Sequence, residues 1–478
     1  MSKLGLLQAA GIVLVLCITT AIAAPAQTFN NLLSFDATNG AQPWYGSLVQ
    51  GTDGNFYGTT SYGGTEDNYG TVFKITPAGT VTTLHLFDGK DGYWPFAALV
   101  QSTDGNFYGT TYYGGEQGGV EGSGTVFEIT PGGTLTTLHV FCTQSGCEDG
   151  AYPAGPLVQA TNGNFYGITV GGGANGSGTV FKITPKGKLT GLYSFCSQTA
   201  CTDGGGEWGS LVQATNGNFY GITGGGANGE GVVFKITPAG KFTTLYSFCS
   251  QTKCADGAEP WGGLIQATNG NLYGTTEYGG ANNYGTVFKI TTAGKLTTLH
   301  SFDYNDGYRP FAGLAQATDG NFYGTTGWGG RGDYGAVFEI TPGGTLTTLH
   351  SFCPEGGSCT DGSYPFAGLM QATNGILYGM TSTGGTYNDG TVFSLSVGLG
   401  PFVETLPTSG KVGAKVIILG NNLKGTTSVT FNGTAATFTV VSNTEIKTTV
   451  PSGATTGPVQ VTTPGGTLNS NVVFRVEP

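Results

Sequence analysis

The chain has 478 residues, 87 of them glycine, with 12% aromatic but only 10% charged residues and a formal net charge of −11. That length exceeds what one hydrophobic core covers, and a disordered Gly-rich chain would be poor in aromatics, so the glycine reads as the turns of an all-β protein. No basic run is present, which excludes electrostatic binding to nucleic acid.

The chain opens as an export signal. Lys3 supplies the positive region, Leu4 to Ile22 is mostly apolar, and Ala21-Ile22-Ala23 is a small-x-small cleavage site, with a second choice after Ala26. Residues 1–26 are therefore expected to be a signal peptide. No later stretch has about 20 apolar residues, so the mature chain is expected to carry no membrane span.

Thr28 to Phe35 matches the end of each later repeat, such as Thr345 to Phe352, and is designated strand d. Leu48 to Thr52 is strand a, Phe56 to Thr60 strand b and Thr71 to Thr76 strand c, followed by a Pro77-Ala-Gly79 turn and strand d again at Thr80 to Phe87. Between a and b stands Asp53-Gly54. An Asp-Gly or Asn-Gly pair recurs there in all seven copies and predicts a type I′ hairpin, with φ > 0 at both central residues. Four short strands per period of about 50 residues make a propeller blade. The a-b-c group occurs seven times, and the first strand d precedes the first group while none follows the last. The phase predicts a seven-bladed β-propeller over 28–397, closed by pairing Thr28 to Phe35 with Thr391 to Ser396. The glycine of strand b, Gly58 and its six equivalents, is expected to reflect close approach between blades.

Cys17 falls in the signal. The other eight cysteines are near neighbours: Cys142/Cys147, Cys196/Cys201, Cys249/Cys254 and Cys353/Cys359. Each pair appears only where the d-to-a loop carries extra residues, which predicts local disulfides stapling each insertion. Cys-x2-Cys knuckles and nearby histidines, the signs of a metal site, are absent.

After Gly398-Leu-Gly-Pro401 the period ends. Residues 402–478 read as short β runs separated by turns at Asn432-Gly433, Ser452-Gly453 and Pro464-Gly-Gly466, a small β-sandwich. The tail has 5 basic and 3 acidic residues, whereas the mature part before it has 12 and 26.

The repeated Asp/Asn-Gly-Asn-Phe-Tyr-Gly-Thr-Thr, Gly-Thr-Val-Phe-Lys-Ile-Thr-Pro and Leu-Thr-Thr-Leu-His-Ser-Phe resemble the GloVer tandem repeat of bacterial surface and secreted proteins. That resemblance implies export and no particular activity. The tail, through Val429-Thr-Phe-Asn-Gly433 and Val450-Pro-Ser-Gly-Ala-Thr-Thr-Gly-Pro458, resembles an IPT/TIG immunoglobulin-like domain, which implies a spacer or protein-contact module.

The histidines His85, His139, His300 and His350 share one repeat position in strand d, which reads as structural. No Gly-x-Ser-x-Gly or His-Glu-x-x-His occurs, and the Gly-x-Gly-x-x-Gly matches at Gly171 and Gly224 precede strands. Asp88/Asp91 and Asp303/Asp306 have the oxygen chemistry of a Ca²⁺ site, against an Asx turn as the plainer reading. A paired-acid enzyme, a glycoside hydrolase or lyase, would need carboxylates outside the repeat, such as Glu116 with Glu121 or Glu207 with Asp203. No catalytic residue, metal or cofactor is assigned.

The d-to-a and b-to-c loops share one face of a propeller, and this face carries every tryptophan. Three residues before the leucine of strand a stand Tyr45, Phe96, Ala154, Trp208, Trp261, Phe311 and Phe366, expected to wedge between blades. Trp44, Trp94 and Trp328 fall outside that register. With Tyr62, Tyr112, Tyr113 and Tyr278 they are the expected binding rings. The expectation is a secreted or cell-surface bacterial protein that binds a neutral polysaccharide or a surface protein without catalysis. A polysaccharide-active enzyme and a structural surface or matrix component are the alternatives.

Overall fold

The computed structural model describes residues 27–64, 67–115, 122–206 and 208–477. The expected signal peptide lies outside the described residues, as do Glu116, Glu121 and Glu207. The architecture is all-β and propeller-like, with four-stranded antiparallel sheets built to one plan. In the first sheet strand a is Val49–Gln50, b is Phe56–Thr60, c is Thr71–Ile75 and d is Val81–Leu86, hydrogen-bonded in that order.

The a-to-b turn differs from the type I′ expectation. Gly51 N–H donates to the Asn55 carbonyl and Gly54 N–H to the Gly51 carbonyl, both at 2.8 Å. Gly54 has φ +82°, while Asp53 is not among the residues with positive φ. This is a type I turn closed by a left-handed glycine. The aspartate selects it, because Asp53 Oδ1 accepts from Asn55 N–H at 3.1 Å and forms an Asx turn.

The strand-b glycine also has a different cause from the one expected. Gly58 lies opposite Phe73 of the same sheet, and a Cβ there would come within 2.7 Å of Phe73 Cζ and 3.0 Å of Leu48 Cδ2. The glycine admits the strand-c phenylalanine across its own strand pair rather than a neighbouring sheet.

Sheets stack through the two residues before this glycine, the Phe and Tyr of the motif. Tyr57 packs on Phe107 at 4.0 Å between ring centroids, Tyr108 on Phe165 at 4.1 Å, Tyr166 on Phe219 at 4.1 Å and Tyr273 on Phe322 at 4.1 Å. Tyr378 of the last repeat packs on Phe56 of the first at 4.2 Å, so the stack returns on itself. Each of these tyrosines also bonds the Asp or Asn of its own turn, as Tyr57 Oη does to Asp53 Oδ2 at 2.9 Å. Burial pushes the Tyr57 hydroxyl pKa far up, with the Asp53 charge adding to it.

A second circuit uses the strand-a glutamine. Its Oε1 accepts from the turn threonine N–H of the preceding sheet: Thr52 to Gln101 at 3.0 Å, Thr103 to Gln159 at 3.4 Å, Thr161 to Gln213 at 3.0 Å and Thr215 to Gln266 at 2.7 Å. Thr268 to Gln316 at 2.9 Å and Thr318 to Gln371 at 3.0 Å continue it, and Thr373 to Gln50 at 2.9 Å completes the circle.

The N-terminal strand Thr28–Ser34 pairs antiparallel with Thr391–Ser396, from Thr28 opposite Ser396 to Ser34 opposite Thr391. It is the outer strand of the sheet whose other members are Met370–Gln371, Leu377–Thr381 and Thr391–Ser396. Phe35 follows it into the core with no exposed surface.

Beyond Gly400 two further four-stranded sheets and a two-stranded parallel pair enclose a separate core that includes Val416, Ile418, Phe431, Ile446, Val461 and Phe474. This segment sits on the tight a-to-b turns. Thr444 Oγ1 donates to the Thr52 carbonyl at 2.8 Å, Phe402 N–H to the Thr373 carbonyl at 3.0 Å, and Arg475 to the Thr215 carbonyl.

Candidate binding face

The opposite face is built from loops. The d-to-a loop bridges to the b-to-c loop of the same sheet at Ala41–Tyr62, Tyr93–Tyr113, Ala258–Tyr278, Tyr308–Trp328 and Ser363–Thr383. Disulfides Cys142–Cys147, Cys196–Cys201, Cys249–Cys254 and Cys353–Cys359 close the longer loops, each within one loop as the sequence predicts.

One aspartate anchors each loop to strand d except the first, where Leu33 stands at the histidine place. His85 Nε2 meets Asp91 Oδ2 at 2.6 Å, His139 meets Asp149 at 2.9 Å, His300 meets Asp306 at 2.6 Å and His350 meets Asp361 at 3.1 Å. Tyr193 and Tyr246 replace histidine and donate to Asp203 and Asp256 at 2.6 and 2.7 Å. Burial pushes the Asp203 carboxyl up, but the Tyr193 hydroxyl and the N–H groups of Ser197 and Gln198 outweigh it and hold it below its ordinary value. Asp203 is thus the repeat's loop anchor and not an acid outside it. Asp88 Oδ1 accepts from Lys90 N–H at 2.9 Å and Asp91 N–H at 3.2 Å, the Asx turn. Asp303 repeats it with Asn305 at 3.0 Å and Asp306 at 3.3 Å. Among the described residues no group of three His, Cys, Asp or Glu side chains is placed to hold a metal.

The rings expected to wedge between sheets meet each other instead. Tyr45 lies 5.0 Å from Trp208 and 6.2 Å from each of Phe96, Trp261, Phe311 and Phe366, residues of five different repeats. They form a rosette about the centre of the ring. Alignment on proline explains how. Pro95 is followed by one aromatic residue, Phe96, but Pro43 is followed by Trp44 and Tyr45. Trp44 takes the rosette place, stacked on Phe96 at 5.7 Å, and the additional Tyr45 fills the middle. Counting back from leucine put Trp44 outside the register by one residue. Burial, with the Glu277 charge adding to it, pushes the Tyr45 hydroxyl up to about 12. Ala154 contributes no ring, and Tyr112 fills its place by stacking on Trp208 at 5.6 Å and 10°. Tyr112 is therefore a packing residue. A cavity of about 210 Å³ lies against the rosette, walled by Ser47, Ala98, Pro156 and Ser210 among others.

The remaining expected rings surround the rosette and are half-buried. Trp94 contacts Tyr62 at 5.3 Å and Tyr113 at 5.4 Å. Trp328 contacts Tyr308 at 6.0 Å and Phe366 at 5.0 Å. Tyr278 carries the Arg309 guanidinium at 4.6 Å from its ring centroid, and Trp328 lies 5.1 Å from the same group. The sequence reading missed Glu277 and Arg309, which form an ion pair at 3.6 Å with the Glu277 side chain only 6% exposed. Their departure from the repeat was the available signal: no other copy has an acid at the place of Glu277 or a base at that of Arg309.

The family model described as the Gloeobacter/Verrucomicrobia repeat matches residues 19–223, 116–255 and 224–441. No curated protein matches the chain. Among solved structures, one described as the extracellular domain of a hybrid two-component system from Bacteroides thetaiotaomicron is 10% identical, with a TM-score of 0.50, over 94% of this chain and 58% of that one. A Bacteroides thetaiotaomicron protein of unknown function is 14% identical, TM-score 0.41, over 78% of this chain and 76% of that one. A Xanthomonas campestris gluconolactonase is 12% identical, TM-score 0.40, over 78% and 90%. At these identities the likeness concerns fold alone.

Proposed function

Because the chain belongs to the Gloeobacter/Verrucomicrobia repeat family, we propose that it is an exported bacterial protein that binds a neutral polysaccharide without catalysis. In this reading 28–397 is a seven-bladed β-propeller, 402–478 an immunoglobulin-like domain of the IPT/TIG type, and the loop face the ligand surface. Four disulfides support an oxidising, extracellular setting. Among the described residues no helix is long and apolar enough to cross a membrane.

The observation that carries the reading is the belt of half-buried rings, Tyr62, Trp94, Tyr113, Tyr278 and Trp328, around a filled centre. It lies on the face that the C-terminal segment leaves uncovered. Flat rings offer sugars an apolar stacking surface, and a filled centre suits an extended chain lying across the face better than a small molecule entering it.

Affinity electrophoresis of the full chain through hydroxyethylcellulose, laminarin, galactomannan and starch tests this. Retardation in at least one gel is expected, weakened by W94A and W328A. Absence of retardation in all four would end the reading. Release of reducing or unsaturated ends by pure protein would replace it with a polysaccharide-active enzyme.

A further inference from the structure

We propose that Arg309 and Glu277, with Tyr278 and Trp328 holding the guanidinium, form the polar subsite of this face, where the guanidinium binds two adjacent hydroxyls of an uncharged sugar ring. The proposal rests on the polysaccharide reading and names the group within it that reads the sugar.

The chain has few charges, and these two stand in adjacent repeats at places the other copies fill with uncharged residues, apart from Glu259 at the equivalent of Arg309. Burying a carboxylate costs free energy even when it is paired, and the Glu277 side chain is only 6% exposed. Serine or glycine holds the same place in Ser61, Gly224, Gly327 and Ser382.

The pair is arranged for a third participant. At 3.6 Å the Glu277 contact is longer than a hydrogen bond, so it fixes the guanidinium without consuming its fork of donors. Tyr278 and Trp328 hold the same group at 4.6 and 5.1 Å from their centroids. The Arg309 side chain is 34% exposed, so the fork is reachable from solvent. A planar guanidinium can donate in parallel to two oxygens on neighbouring carbons, which an ammonium cannot.

Charge selects among sugars. Glu259 stands beside this site, its carbonyl accepting from Glu277 N–H at 2.8 Å. Burial, with the Glu277 charge and to a lesser degree that of Glu259 adding to it, raises the Tyr278 hydroxyl. Two carboxylates against one guanidinium leave the subsite negative, which opposes a uronate and leaves neutral hydroxyls as the matching partner.

The test uses the full chain with R309Q, R309K and E277Q, beside W94A on the far side of the belt, in the neutral gel that retards the wild type. Polygalacturonate is the acidic probe. R309Q is expected to weaken retention about tenfold, as loss of charge-assisted hydrogen bonds does, and R309K nearly as much. E277Q is expected to weaken it less, and polygalacturonate to give no retardation. Retention by R309Q within twofold of wild type, or full rescue by R309K, overturns the subsite while the W94A effect keeps the wider reading. Stronger retardation by polygalacturonate than by any neutral polymer overturns the choice of ligand. No retardation of wild type in any neutral gel overturns both. Near-UV circular dichroism establishes that each variant is folded, and if R309Q is not, R309K decides.

Discussion

Phe35→Ala separates a ring closed by its N-terminal strand from one that carries that strand as a detachable arm. Phe35 is fully buried and lies edge-on to Phe73 at 5.3 Å, in a core shared by the first and last repeats. Phe302 holds the same place within a continuous repeat, fully buried and 5.4 Å from Phe338. Truncating a buried phenylalanine costs about 3–5 kcal/mol, the lost transfer energy plus the cavity left behind. At ~2.1 cal/mol/K per residue, the roughly 370 residues from Thr28 to Ser396 unfold with an entropy of about 0.8 kcal/mol/K. A loss of about 4 kcal/mol then lowers Tm by about 5 °C, if the ring melts as one unit. Differential scanning calorimetry of Phe35→Ala and Phe302→Ala should give equal decreases. A Phe35→Ala midpoint within about 1 °C of wild type, beside a normal drop for Phe302→Ala, would refute closure by the terminal strand.

Gln50→Leu strands the buried Thr373 N–H that now bonds Gln50 Oε1 at 2.9 Å, and should cost about 1–3 kcal/mol in urea unfolding. Gly58→Ala forces a Cβ within 2.7 Å of Phe73 Cζ and should cost about 1–3 kcal/mol by the same measurement. Replacing Cys196 and Cys201 together by alanine removes a bridge with a sequence separation of 5, and should lower stability by about 2 kcal/mol. Peptide mapping without reductant should find all four local pairs. Asp203 and Asp256 have folded carboxyls below their ordinary values, so their stabilisation is present above the unfolded carboxylate pKa and is lost as pH falls through the depressed folded values. Acid unfolding should shift to higher pH in Tyr193→Phe, which removes a hydrogen bond holding Asp203 down. An unchanged acid midpoint would count against that role.

Repetition made the strands legible. Seven copies let each apolar run be compared with the others, and the strand phase at the two ends pointed to their pairing. The local disulfides followed from loops that lengthen only where cysteines occur. Turn type was less legible, since Asp53-Gly54 suits both type I′ and the observed turn, and only the Asp53 to Asn55 bond decides. The strand-a glutamine recurred in every copy without revealing its use, because its partner sits in the neighbouring repeat some 50 residues away. At the candidate face the reading failed by one residue. The extra position after Pro43 moved Trp44 out of the leucine register, so a rosette ring was expected to bind, and the recurrence of an aromatic at the register position did not distinguish central packing from wedges. Glu277 and Arg309 were hidden for a related reason: 32 residues separate them, and only the stacking of adjacent sheets makes them partners.

The pairing of Thr28–Ser34 with Thr391–Ser396 also bears on how the chain assembles. Joining the ends of an unstructured loop of about 360 residues costs about 5 kcal/mol of chain entropy beyond a constant. Six stacked sheets remove that cost in advance by delivering the two ends to each other. Stacking before closure is therefore the cheaper order, in which the strand Thr28–Ser34 waits for Thr391–Ser396. During that interval both partners present unpaired backbone edges, each a template for another chain. The hazard is kinetic, and it ends abruptly: once the terminal strand docks, the edge and its template disappear together.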